Sequence, residues 1–242
     1  MGKIYATTSG KGGVGKSTVA VGLAFAFANM GERVLLVDMD EGLRCLDLLL
    51  GVDGSAVLDL ADVLGGTPIE DAAYVCGNDN VHLITAPMNT GAIDREIFTR
   101  FAKTASFVYD VVIFDFPAGL DFSLYTALPK HTLFLTVATP DPVSVRDAAA
   151  VSERLHSNGL GSRLIINRFA FKDALRHKQK NIDGIINTAT LRLLGIVPDS
   201  KELNALSLTH KINKRCRAMK AFLRIAGRLM DKNIPLKKLK KI

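Results

Sequence analysis

Apolar residues along this chain fall into short continuous runs separated by longer stretches of helical periodicity. Ile4-Tyr5-Ala6-Thr7-Thr8 is β-prone, and Val19 to Met30 is rich in alanine and apolar residues, so a strand and a buried helix follow each other. Arg33-Val34-Leu35-Leu36-Val37 and Asp110-Val111-Val112-Ile113-Phe114 read as buried strands ending at Asp38 and Asp115. Thr132 to Ala138, Arg163 to Ile166 and Leu193 to Val197 continue the series, with helical periodicity over Ile93 to Phe107, Val143 to His156 and Cys216 to Met230. This alternation predicts an α/β fold, a doubly wound, mostly parallel sheet with helices on both faces. Ligands of such sheets sit beyond the C-terminal ends of the strands, where Asp38, Asp40 and Asp115 fall.

At 242 residues and 48% apolar composition, the chain is long enough for one large core. The reading is one domain over residues 1–230 and a basic tail over 231–242. Apolar runs are too short or interrupted for a membrane span, and the first residues lack a signal-peptide pattern, so a cytoplasmic protein is expected. Cys45, Cys76 and Cys216 are widely spaced and form no C-x-x-C pair, which argues against a disulfide framework or zinc site. Net charge is +7 but uneven: from Lys201 onward thirteen Lys and Arg face two acids, net +11, which leaves 7 − 11 = −4 for residues 1–200. Such a split suits a surface for phosphates, of lipid or of nucleic acid, or else the solvated face of a docked helix.

Between the first strand and its helix, Ser9-Gly10-Lys11-Gly12-Gly13-Val14-Gly15-Lys16-Ser17-Thr18 has the spacing of a phosphate-binding loop. Glycines let backbone N–H groups approach phosphate oxygens, and the helix N-terminus adds its partial positive charge. Residues 12–18 (Gly12, Gly13, Val14, Gly15, Lys16, Ser17 and Thr18) are therefore the expected nucleotide contacts. Lys16 is placed for the β- and γ-phosphates and the Ser17 hydroxyl for magnesium. Val111-Val112-Ile113-Phe114-Asp115 has the form of a Walker B strand, with Asp115 holding the metal through a bound water. A nucleoside triphosphate and Mg²⁺ are the ligands this P-loop NTPase pattern calls for.

Lys11 narrows the resemblance. The run Lys11-Gly12-Gly13-Val14-Gly15-Lys16-Ser17-Thr18 resembles the deviant phosphate loop of MinD/ParA ATPases. That resemblance implies that Lys11 reaches across an ATP-bound homodimer to the partner's nucleotide, stabilising charge in phosphoryl transfer. Asp38-Met39-Asp40-Glu41-Gly42-Leu43-Arg44-Cys45-Leu46-Asp47 resembles the D-x-D-x-G-L-R-N-L-D of MinD proteins. It implies that Asp40 positions the attacking water and Asp38 supports the magnesium shell, which makes Lys11, Lys16 and Asp40 the expected catalytic residues and Ser17, Asp38 and Asp115 the metal set. Arg44 and Asp47 are read as a local ion pair. Asn167-Arg168-Phe169 resembles the family's N-R-[FY], whose asparagine reads the adenine edge, and Val197-Pro198-Asp199 matches the region that packs Pro198 and its neighbours on the base. Cys45 stands where the family has asparagine, and Phe116 in Phe116-Pro117-Ala118-Gly119 where it has serine.

The resemblance covers about residues 2–230 and implies a nucleotide switch in spatial positioning, such as division-site selection, with an activator or effector protein as partner. Asn233 to Ile242 has aliphatic residues at three-residue spacing among four lysines, which suits either weak contact with anionic membrane through a short interfacial helix after Pro235 or a frayed basic terminus. The alternative from another class is a ParA-like or flagellar-number-regulator-like switch that binds DNA or another apparatus through Lys211 to Arg228.

Overall fold

The computed structural model describes residues 1–52, 54–88, 93–119, 123–176, 179 and 181–236. In chain order the elements are β1 (Lys3–Thr8), α1 (Lys16–Ala28), β2 (Val34–Asp38), α2 (Leu46–Leu50), α3 (Leu60–Leu64), α4 (Ile69–Ala72), β3 (Tyr74–Val75), β4 (Val81–Ile84) and α5 (Arg95–Val108). They continue with β5 (Val111–Asp115), β6 (Leu133–Ala138), α6 (Pro142–Ser157), β7 (Gly161–Phe169), α7 (Phe171–Leu175), α8 (Ile182–Ala189), β8 (Leu193–Pro198), α9 (Lys201–Asn204), α10 (Leu206–Thr209) and α11 (Arg217–Leu229).

The strands form one eight-stranded sheet in the order β3-β4-β2-β5-β1-β6-β7-β8, parallel throughout except the β3–β4 pair. Every residue of β2 and β5 is buried, as a parallel sheet covered on both faces requires. Alternate residues still serve opposite faces. Leu36 and Ile113 join the core under α1 and α11, whereas Leu35, Val37, Val112 and Phe114 join the core on the other face with Phe98 and Phe101 of α5. A third cluster places α6 and α8 over Leu164 and Ile166 of β7.

Helix α1 is apolar on nearly every side because it is trapped between the sheet and α11. A Cβ on Gly22 would overlap the Phe222 ring, so glycine there sets how closely α1 and α11 approach. The β3–β4 hairpin, α8 and the short helices α2–α4, α9 and α10 were not legible in the apolar pattern, since each is brief and takes its shape from distant neighbours. Half of the basic tail expected over 231–242, Lys237 to Ile242, lies outside the described residues.

Candidate nucleotide site

Residues 9–15 turn from β1 into α1 with Gly13 at φ +77° and Gly15 at φ +84°, left-handed values that glycine adopts without strain. At Gly12 and Gly13 a Cβ would meet nothing, so the loop opens onto free space. Val14 is its buried anchor. No side chain caps the first turn of α1, which leaves its N–H groups facing a cleft of about 360 Å³ lined by the loop, Asp40, Leu43, Cys45, Leu48 and Arg168.

Below the loop, charge is buried and matched. Lys16 Nζ donates to Asp115 Oδ1 at 2.8 Å, with both residues almost fully buried, and lies 3.4 Å from Ser17 Oγ. Thr7, the last-but-one residue of β1, donates its hydroxyl to the same Asp115 oxygen. Asp115 Oδ2 is buried and has no partner. A carboxylate oxygen aimed out of contact beside a serine hydroxyl and a lysine fits a hydrated magnesium ion held jointly with phosphates. Among the described residues no group of three or more His, Cys, Asp and Glu forms a metal cage alone.

Asp38 stands opposite Asp115 in the β2–β5 ladder. Burial, and then the Asp115 charge, push its carboxyl up to about 6, while backbone N–H groups of Leu46 and Asp40 and the Lys16 charge pull the other way. Oδ1 accepts from Asp40 N and Oδ2 from both Cys45 N and Leu46 N, each at 3.0 Å. Asp38 therefore organises the 40–46 loop and the start of α2 as well as facing Asp115 across the ladder. Asp40 lines the cleft directly; burial raises its carboxyl, opposed by Lys16. Burial likewise raises the Cys45 thiol, with Asp38 and Asp40 adding to it.

Arg44 corrects one expectation: its partner is Asp59 at 2.8 Å, with a further bond to Ala86 O, and not Asp47. Asp59 also N-caps α3, so Arg44 ties the loop to a neighbouring helix that the sequence pattern did not reveal. Phe116 fills core space against Tyr125, ring centroids 4.5 Å apart, so an aromatic contact occupies the place of a hydroxyl. Beyond it Gly119 N donates to Ser9 O at 2.9 Å, joining the turn after β5 to the start of the phosphate loop.

Lys11 lies half-exposed at the rim, 3.9 Å from Asp141 Oδ1 at the N-cap of α6. At the other end of the cleft, Asn167 Nδ2 donates to Val14 O at 2.8 Å and Arg168 Nη1 to Gly13 O at 3.0 Å. The Asn167 side chain presses so closely on Gly15 that a Cβ there would overlap it. Its Oδ1 is buried and unpartnered. Asn167, Arg168, Pro198 and Thr18 line a second hollow of about 190 Å³ together with Ser200, Asn204 and Ser207. Thr18 and Arg168 border both spaces, so the expected nucleotide residues converge on one continuous trough. Thr7, Ser200, Asn204 and Ser207 were missed; Thr7, on the strand entering the loop, carried the one usable signal.

The CobQ/CobB/MinD/ParA nucleotide binding domain model matches residues 5–213. The septum site-determining protein MinD of Thermotoga maritima is 31% identical over 98% of this chain and 91% of its own length. The MinC:MinD cell division protein complex of Aquifex aeolicus contains a chain with TM-score 0.87 and 30% identity, covering 98% of this chain and 99% of that one. MinD of Pyrococcus horikoshii complexed with Mg-ADP superimposes with TM-score 0.81 at 26% identity, over 97% of this chain and 100% of that one.

Proposed function

This chain belongs to the MinD branch of the CobQ/CobB/MinD/ParA nucleotide-binding family, and from that premise we propose that it is a magnesium-dependent ATPase acting as a nucleotide switch in division-site placement. The observation that carries the reading is the phosphate loop with two lysines above a buried Asp115 whose Oδ2 has no partner. The Mg-ADP complex of the Pyrococcus relative supports the choice of ligands.

In the proposed mechanism the loop N–H groups and Lys16 bind the triphosphate, and Lys16 exchanges its Asp115 contact for phosphate oxygens. Ser17 and Asp115 would hold magnesium, with Asp38 behind them; the ion, when bound, draws charge from the β- and γ-phosphates. Asp40 orients the attacking water from the cleft wall. Asn167, Arg168 and Pro198 hold the base end. Lys11 leaves Asp141 and serves the nucleotide of a second copy, so that ATP and dimerisation depend on each other. The dimer recruits a protein partner, for which the MinC in the Aquifex complex offers the nearest chemistry, and touches anionic membrane through its basic C-terminus. Among the described residues no helix is long and apolar enough to cross a membrane.

Light scattering after size exclusion tests the switch on Asp40→Ala, a variant expected to bind ATP and not hydrolyse it. A dimer only with magnesium-ATP, absent in apo and ADP samples, is the expected result. No dimer in any state would remove the role of Lys11.

A further inference from the structure

Four of the basic residues that the nucleotide site leaves unused, Arg217, Lys220, Arg224 and Arg228, share one helix. Between Leu203 and Met230 the chain carries seven Lys and Arg and no Asp or Glu. In α11, Arg217, Lys220 and Arg224 follow at intervals of three and four, which sets them in one stripe. Ala218, Phe222 and Ile225 on the other side are buried in the core shared with α1. Among the described residues no carboxylate forms a salt bridge with any of the three.

The stripe ends at Arg228, whose guanidinium is fully engaged. It donates to Leu194 O of β8 at 2.8 Å, to Ile234 O at 2.7 Å and to Pro235 O at 2.8 Å. The Ile234 side chain seats on Gly227, where a Cβ would overlap it. Lys3 and Tyr5 both donate to Leu229 O, closing the end of α11 against β1. Residues 234–235 are thus fastened to the edge of the sheet beside the stripe. Because Lys3 begins β1 and the phosphate loop follows its far end, this assembly sits at the opposite end of the sheet from the nucleotide trough.

A row of cations on a convex helix, with no aromatic side chains among them to stack on bases, suits a plane of phosphates. It also adjoins residues 234–235, and the sequence beyond them carries Leu236, Leu239 and Ile242 among lysines. We propose that the outward face of α11, through Arg217, Lys220 and Arg224, is itself a docking surface for anionic phospholipid headgroups. This rests on the membrane contact in the reading above and deepens it. Three aliphatic side chains bind a bilayer weakly, whereas each basic group near an anionic leaflet strengthens binding about fivefold.

The test is vesicle sedimentation of the full chain with magnesium-ATP, on phosphatidylglycerol–phosphatidylcholine mixtures and on phosphatidylcholine alone. The expected result is pelleting only with the anionic mixture, and an affinity about a hundredfold lower for R217Q/K220Q/R224Q, with ATP turnover and thermal unfolding unchanged. R217K/R224K, which keeps the charge, is expected to bind like the parent chain; loss in that variant would overturn the electrostatic basis. Parent and triple variant pelleting alike would overturn the role of α11 while leaving the tail reading intact. Failure of the parent chain to pellet would remove the membrane reading itself. A triple variant that keeps vesicles but loses duplex DNA would assign the surface to nucleic acid and overturn the proposal.

Discussion

At the C-terminal ends of the strands, charged groups are buried and held by partners; on the outward face of α11, Arg217 and Lys220 stand in solvent, and among the described residues neither meets a carboxylate. Lys16 and Asp115 are nearly inaccessible and share a 2.8 Å contact, and Asp38 is held by three backbone N–H groups. Arg217 and Lys220 are exposed. Buried charge is costly unless matched, so its presence marks a place where the fold has been shaped around chemistry. Exposed charge is cheap and acts by number and arrangement, which suits a broad surface. The same residue types therefore carry opposite expectations for mutation.

The largest contrast is expected at Lys16. Lys16→Ala should abolish nucleotide binding in calorimetric titration and leave Asp115 buried without its cation, at a cost of roughly 3 kcal/mol in urea denaturation. A loss no greater than that of Lys220→Gln, expected within about 0.5 kcal/mol of the parent, would break the comparison. Next is Gly15→Ala, which combines a left-handed backbone with overlap on the Asn167 amide. It should cost roughly 1–3 kcal/mol and weaken nucleotide binding, because the loop and Asn167 must part. A substitution that left both unchanged would show that the loop can shift freely.

A subtler expectation concerns pH. The Asp38 carboxyl is raised from 3.8 to about 6 in the folded chain. The folded state therefore holds this proton more tightly than the unfolded one. Its contribution to the stability of the nucleotide-free protein is greatest below pH 3.8 and declines as pH rises to about 6, then levels. Melting temperatures of the parent chain and Asp38→Asn across that window should show the parent's slope flattened in the variant; parallel curves would assign the slope elsewhere. The smallest effect is expected for R217Q/K220Q/R224Q on folding, where urea midpoints should hardly move.

Much of the site was readable because the phosphate loop and the acid ending β5 are local patterns, fixed by what phosphate and magnesium need. The core strands were readable for a similar reason: a continuous apolar run has few other uses. What stayed hidden depends on distant pairing. The four residues of β4 are too few to declare a strand without β2 beside them. Arg44 could have met Asp47, three residues on, but the chain brings Asp59 to it instead. The second duty of Asp38, holding the backbone of 40–46, follows from loop geometry that no spacing rule encodes.

The hydrogen bond from Asn167 to Val14 has one more consequence. Since Val14 offers a carbonyl, the amide must present its nitrogen there, and its oxygen is the atom left buried without a partner at the edge of the trough that Asn167 lines. That oxygen can only accept. A purine with its amino group at position 6 would supply the missing proton to that oxygen, whereas one with a carbonyl at position 6 would set oxygen against oxygen there. Discrimination between ATP and GTP would then be decided by the polarity of a single side chain, and it is the phosphate loop, by claiming the other end of that amide, that sets which way it points.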